Sequence, residues 1–138
     1  MKYCYPLIGV LMFMAAIDLM VTPSQSDTYG QGTPSNILTE LNKQPPPYPF
    51  SHDGCSLFPD RMFWHDFRAA CFRHDVAYWA GGTSLERKYA DRRFREDIQQ
   101  TGLLGTPISY LAYAGVRVFG NSPITKLIDA EWGYGWDD

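Results

Sequence analysis

The sequence predicts an all-α domain: a small, disulfide-stapled domain built on two antiparallel helices that carry a His/Asp pair, with flanking helices. Three observations lead to this class. Four segments carry helix start and stop signals, no segment alternates apolar and polar residues as a half-buried strand does, and no internal repeat is present. A chain of 138 residues is long enough for one domain at most.

The first 26 residues have the pattern of an export signal. Lys2 precedes a short apolar run from Tyr5 to Ala16, as is typical of a signal peptide. Ser24 and Ser26 place small residues where signal peptidase cuts, which predicts cleavage near Ser26 and a secreted, extracellular or periplasmic, protein. Because Asp18 interrupts the run, an uncleaved anchor is the alternative.

The cysteine count agrees with export. Removing residues 1–26 takes away Cys4 and leaves Cys55 and Cys71. Two cysteines in an exported chain predict one disulfide, whereas two unrelated reduced thiols are the alternative.

Residues 27–50 are predicted to form a flexible, proline-rich lead that contains one short helix. Asn36 to Asn42 has an amphipathic pattern. Residues 45–49 must be extended, because consecutive prolines exclude a helix and favour polyproline II. We interpret them as a stiff connector, with a ligand for a proline-binding partner domain as the alternative. Residues 51–138 are assigned to the helical domain itself.

The first of the two central helices places a histidine on an apolar face. One stripe at helical spacing is formed by Phe67, Ala70, Cys71, His74 and Tyr78. Asp75 points about 100° away from His74, given 3.6 residues per turn. Gly81 and Gly82 then end the helix.

The second central helix offers a carboxylate to that histidine. Residues 83–86 (TSLE) form a capping box that starts it, and so short a turn predicts antiparallel helices. Asp91 shares one face with Phe94 and Ile98. Because a buried carboxylate needs a partner, His74 is the candidate across the gap.

Two further helices and an aromatic tail complete the domain. Thr106 and Pro107 start a third helix, and Gly120 follows its end. Ser122 and Pro123 repeat this pattern for a short fourth helix. The tail, residues 131–138, either lies at a membrane interface, where amphipathic rings are favoured, or folds back onto the core.

These residues bring a base, its orienter and a cation site into one short segment. A histidine held by the Asp91 carboxylate keeps one tautomer, and its other nitrogen can take a proton from water. Asp75 is left to hold a hard cation. If a disulfide ties the loop at Asp53 and Gly54 to the helix, that loop could add carbonyl oxygens, which calcium prefers as ligands.

The pattern resembles the secreted phospholipase A2 superfamily, most closely its small bacterial and fungal branch. The resemblance extends from about Asp53 to Gly120, roughly half of the chain. It is carried by Asp53-Gly54-Cys55, Pro59-Asp60, Cys71-x-x-His74-Asp75-x-x-Tyr78, Ala90-Asp91-x-x-Phe94-x-Glu96-Asp97 and the segment Tyr113 to Gly120. This implies a calcium-dependent, monomeric hydrolase that cleaves an acyl ester of a glycerophospholipid at a membrane or micelle surface.

The resemblance also implies a role for each site residue. His74 would deprotonate the attacking water, and Asp91 would orient His74 and stabilise its imidazolium. Tyr78 would donate a hydrogen bond to Asp91, although packing alone also accounts for a tyrosine there. Asp75 would hold calcium together with oxygens from residues 53–54.

Two other functions fit parts of the pattern. A non-catalytic lipid-binding or toxin-like module on the same scaffold would be marked by damage at His74, Asp75 or Asp91, and all three are present. A metal-dependent phosphohydrolase would use His65 with the same three residues, but the export signal and the disulfide argue against it. The net charge of -3 argues against nucleic acid as a partner.

Overall fold

The structure is a computed structural model, and it describes residues 32–52, 54–56, 58–128 and 130–136. The export signal predicted for residues 1–26 and the predicted calcium ligand Asp53 lie outside the described residues. Within the described ranges, no helix has both the length and the apolar character needed to cross a membrane.

Five α-helices and one very short hairpin make up the described part of the chain, so the predicted all-α class is confirmed. The elements are α1 (Pro34–Glu40), β1 (Arg61–Met62), β2 (His65–Asp66), α2 (Arg68–Ala80), α3 (Ser84–Gln99), α4 (Gly105–Phe119), α5 (Pro123–Lys126) and a 3-10 helix (Tyr134–Trp136). Strands β1 and β2 pair antiparallel. The prediction of no strand is therefore wrong at residues 61–66, where two-residue strands are too short to show an alternating pattern.

The turn between α2 and α3 forms as its sequence indicates. Gly81 and Gly82 have φ angles of +59° and +130°, in the region that favours glycine. The Thr83 hydroxyl accepts from the backbone N–H of Glu86 at 3.2 Å, and the Glu86 carboxylate accepts from the backbone N–H of Thr83 at 2.7 Å. This capping box satisfies two backbone donors and fixes where α3 begins.

The disulfide joins Cys55 to Cys71, with 5.2 Å between their Cα atoms. It ties the loop before the hairpin to the first turns of α2, and reduced thiols are excluded as an alternative. In the chain-entropy model a loop of this length contributes roughly 3 kcal/mol to stability.

The core consists of two apolar groups on opposite sides of α2. One joins α1 to the tail and contains Ile37, Leu38, Phe72, Val76, Trp79, Ala80 and Tyr134. The other surrounds the disulfide and contains Cys55, Phe67, Ala70, Cys71, Phe94, Ile98 and Ala112. Helix α2 therefore lies in the middle of the domain, and α3 and α4 pack on the side that carries the disulfide.

The aromatic tail folds back onto the end of α2. The indole N–H groups of Trp132 and Trp136 donate to the carbonyls of Gly82 and Ala80, each at 2.9 Å. A Cβ atom at Gly81 would lie 2.6 Å from the Cα atom of Gly133. The two backbone segments therefore pass too close to each other for a side chain at position 81. Residues 132–136 therefore agree with the second interpretation, in which the tail folds back onto the core.

Candidate active site

His74 and Asp91 meet as the helical spacing predicts. Nε2 of His74 lies 3.0 Å from Oδ1 of Asp91. The ring is buried, with its centroid 4.2 Å from that of Tyr78 and 4.5 Å from that of Phe94. Because Nε2 is bound to a carboxylate, the neutral ring carries its proton there, and Nδ1 is the basic nitrogen.

Asp91 is fully buried and accepts hydrogen bonds from three side chains. His74 and Tyr78 share Oδ1, with the Tyr78 hydroxyl donating at 2.7 Å, and Arg117 donates to Oδ2 at 2.7 Å. Burial on its own raises the pKa of Asp91, but the hydrogen bonds from His74 and Arg117 outweigh it and hold the pKa below its ordinary value. Asp91 is therefore an ionised carboxylate at neutral pH.

Tyr78 donates to Asp91, as the family resemblance implies and packing alone would not require. Burial, reinforced by the negative charge of Asp91, raises the pKa of the Tyr78 hydroxyl well above its ordinary value. The hydroxyl thus stays protonated and always donates to the carboxylate. It also accepts from Nε of Arg87 at 3.2 Å.

Two arginines at the site are not among the residues predicted from the sequence. Arg117 comes from α4 and pairs with Asp91, while Arg87 lies 4.0 Å from the same carboxylate. Arg87 stands four residues before Asp91, a spacing that places ion pairs on one helix face. Arg117 lies in the segment that resembles the last helix of the superfamily. This resemblance is the one feature of the sequence that could have indicated a role for Arg117.

A large apolar cavity opens beside the His–Asp pair. It has a volume of about 410 Å³, and His74, Asp75 and Tyr78 contribute to its wall. The rest of the wall is mainly apolar and comes from the disulfide, Phe58, Phe94, Leu111, Ala112, Gly115, Val116, Phe119, Ile124 and Ile128. The basic residue of the site is thus next to a space suited to a hydrocarbon chain.

One predicted cation ligand, Asp75, also lines a smaller and more polar cavity next to the apolar one. Asp75 and His52 line a cavity of about 200 Å³ together with Ser51 and Ser56. Oδ2 of Asp75 is 3.6 Å from Nδ1 of His52, and the same nitrogen accepts from the backbone N–H of Gly54 at 3.2 Å. Because Nδ1 accepts from Gly54, its distance to Asp75 shows only that the loop lies near this carboxylate and is not a second hydrogen bond.

Calcium takes carboxylate and carbonyl oxygens as ligands, and Asp75 offers one carboxylate at this surface. The disulfide holds the loop around Cys55 beside α2, the helix that carries Asp75. Within the described ranges, no three side chains of the His, Cys, Asp or Glu type are grouped so that they could hold a metal ion.

His65 has a structural role. It is buried, and its Nδ1 lies 3.0 Å from the carbonyl oxygen of Thr101. Its ring stacks on Phe67, with the centroids 6.2 Å apart. These contacts attach the hairpin to the loop after α3, and they do not involve the His74 site.

A disulfide-linked helical domain with a buried His–Asp pair beside an apolar cavity has the architecture of a phospholipase A2. Residues 28–103, more than half of the chain, match the sequence model of the family described as Prokaryotic phospholipase A2. The chain belongs to this family. His74, Asp75 and Asp91 fall within the matched residues, whereas Arg117 lies beyond them. A comparison with curated proteins gave no match.

Proposed function

We propose that this protein is a secreted, calcium-dependent phospholipase A2-type hydrolase that cleaves an acyl ester of glycerophospholipids. The observation that carries the proposal is the His74–Asp91 hydrogen bond of 3.0 Å beside an apolar cavity of about 410 Å³. The bond leaves Nδ1 of the ring as the base, and the cavity offers an acyl chain a place next to it.

In the proposed reaction His74 acts as a general base. Nδ1 takes a proton from a water molecule while the water oxygen bonds to the ester carbonyl carbon. When the ester C–O bond breaks, the imidazolium returns this proton to the leaving alcohol, which yields a fatty acid and a lysophospholipid. Asp91 stabilises the imidazolium through Nε2, and Tyr78 helps to hold Asp91. General-base catalysis is worth roughly 10²- to 10⁴-fold in rate.

Calcium is proposed as the cofactor, held by Asp75 with oxygens from Asp53 and Gly54. Bound there, it would supply positive charge for the substrate phosphate and for the oxyanion that develops on the carbonyl. Support comes from the Asp75 carboxylate, which lies 3.6 Å from Nδ1 of His52, a residue of the loop that contains Gly54. In addition, the disulfide fixes that loop to α2, the helix that carries Asp75.

A phospholipid at a membrane or micelle surface is the proposed partner. Large apolar side chains that line the cavity are also exposed to solvent, with Leu111 74% and Ile124 55% exposed. Such residues at a cavity mouth favour contact with a lipid surface over contact with water. The disulfide supports an oxidising compartment, which agrees with a secreted or periplasmic monomer.

Fatty-acid release from phospholipid vesicles tests this function. We expect release with calcium and none after a chelator is added. Asp75→Asn should weaken calcium binding in a calorimetric titration and lower the release. The matched control is Glu40→Gln, which removes a carboxylate from an exposed ion pair with Arg73 and should leave calcium affinity unchanged. Vesicle binding without release would instead favour the non-catalytic lipid-binding module.

The acyl cavity has its own test. A Cβ atom at Gly115 would meet nothing within 4 Å, so a side chain placed there extends into open space at the cavity wall. Gly115→Leu should therefore raise KM for long-chain phospholipids more than for short-chain ones. Equal effects on both chain lengths would place the acyl chain outside this cavity.

A further inference from the structure

Arg117 has a contact that the proposed reaction does not yet explain. Its guanidinium reaches from α4 to the buried carboxylate of Asp91 on α3, where Nη1 donates to Oδ2 at 2.7 Å. Asp91 otherwise receives hydrogen bonds through Oδ1 alone, from His74 and Tyr78. Among the described residues, Arg117 is thus the only hydrogen-bond donor to the second oxygen.

This arrangement fixes the orientation of the carboxylate. The two donors on Oδ1 already restrain rotation of the carboxylate about its Cβ–Cγ bond, and Arg117 restrains it further by holding the opposite oxygen. A hydrogen bond between a guanidinium and a carboxylate is also among the stronger ones that proteins make. The plane of Asp91, and with it the direction of Oδ1 toward Nε2 of His74, therefore depends on Arg117.

The position of Arg117 is itself held from the other side. Nη2 of Arg87 donates to the carbonyl oxygens of Val116 and Arg117 at 3.0 and 3.3 Å. Helix α3 thus binds the last turn of α4 through Arg87, and α4 in turn binds Asp91 of α3 through Arg117. Because Ala112 and Val116 of α4 also line the cavity, one docked helix supplies both the cavity wall and the contact with the carboxylate.

We propose that Arg117 is a positioning residue that acts through Asp91 to hold His74 in its Nε2–H tautomer and in line with the cavity. The inference rests on the proposed function, since positioning matters to turnover only if His74 is the base. Arg117 touches neither the ring nor the water to be activated. Its effect should therefore appear in kcat and in the state of the ring.

Kinetics of Arg117→Met provide the first part of the test. We expect kcat to fall roughly 10- to 100-fold with KM within about twofold of the original, since a catalytic group misplaced by about 1 Å costs on the order of 10²-fold in rate. Arg117→Lys keeps a cation and should recover much of the loss. Combined with Asp91→Asn, Arg117→Met should cost little more than Asp91→Asn alone. Arg92→Met, an exposed change on α3, is the control and should have no effect.

Nitrogen-15 NMR of the neutral His74 ring provides the second part and needs no hydrolysis. The unaltered chain should show the Nε2–H tautomer, Arg117→Met a mixture of the two tautomers, and Arg117→Lys mainly the first. If Arg117→Met fails to fold, Arg117→Gln replaces it with the same expectations.

A single unchanged tautomer in Arg117→Met, or a loss of kcat fully additive with that of Asp91→Asn, would overturn the positioning role. A chain that hydrolyses no phospholipid would overturn the proposed function, while the tautomer measurement would still decide about Arg117.

Discussion

Replacing Asp91 by Asn removes the negative charge at the centre of the site while keeping the size of the side chain. The amide presents one acceptor where the carboxylate presents two. His74, Tyr78 and Arg117 all donate to this side chain in the structure. At least one of these donors must then face an N–H group or lose its partner.

The expected loss follows from burial. Asp91 is fully buried, and breaking a buried charge pair typically costs about 3–5 kcal/mol because a charge is left without compensation. Arg117 is 35% exposed, so its cation can turn toward water, and the amide oxygen of the asparagine can keep the two hydrogen bonds that Oδ1 accepts from His74 and Tyr78. We therefore expect the free energy of unfolding to fall by about 2 kcal/mol at neutral pH. The loss of kcat should be roughly 10²- to 10⁴-fold, since general-base catalysis itself is affected.

The stability loss should also depend on pH. Since the pKa of Asp91 is lowered in the folded chain, its contribution is complete above the ordinary aspartate pKa of about 4 and disappears as the pH falls through the lower, folded value. Urea unfolding of the two proteins should give a difference that shrinks as the pH falls below 4. A difference that stays constant or grows below pH 4 would refute an ionised, hydrogen-bonded Asp91.

Two further predictions concern the framework of the site. Mass spectrometry of the secreted chain should find no free thiol and a Cys55–Cys71 link, and the double serine variant should lose about 3 kcal/mol of unfolding free energy; alkylation of both thiols without reduction would contradict this. In Gly120→Ala the new methyl group would collide with the Tyr78 hydroxyl, so thermal stability and kcat should both fall. Gly115→Ala is the steric control: it meets nothing within 4 Å and should gain up to about 1 kcal/mol of stability, and equal losses in both variants would contradict the Tyr78 contact.

The fold and the His74–Asp91 pair could be predicted because their signals are local. The spacing of apolar residues fixes which face of each helix is buried, and the capping box after Gly82 fixes where α3 begins. Two helices that meet at so short a turn must run antiparallel, which brings His74 opposite Asp91. The remaining pairing, that of the two cysteines, follows from their number if residues 1–26, which contain Cys4, are removed as predicted.

The contact of Arg117 with Asp91 could not be predicted in the same way. Arg117 is 26 residues from Asp91 in sequence, and their contact depends on how α4 docks. A charged residue on an amphipathic helix usually faces solvent, so its spacing alone does not indicate a buried partner. The β1–β2 hairpin was missed for a different reason, because strands of two residues carry no periodicity.

The base assigned to His74 is tested most directly by phospholipid hydrolysis with two single histidine variants of the full chain. His74→Asn should abolish fatty-acid release while calcium affinity and the folded state are kept, because asparagine cannot take a proton from water near neutral pH. His65→Asn should still hydrolyse phospholipid, since His65 bonds to Thr101. Release by His74→Asn at the original rate, or loss of release in a folded His65→Asn, would contradict the assignment.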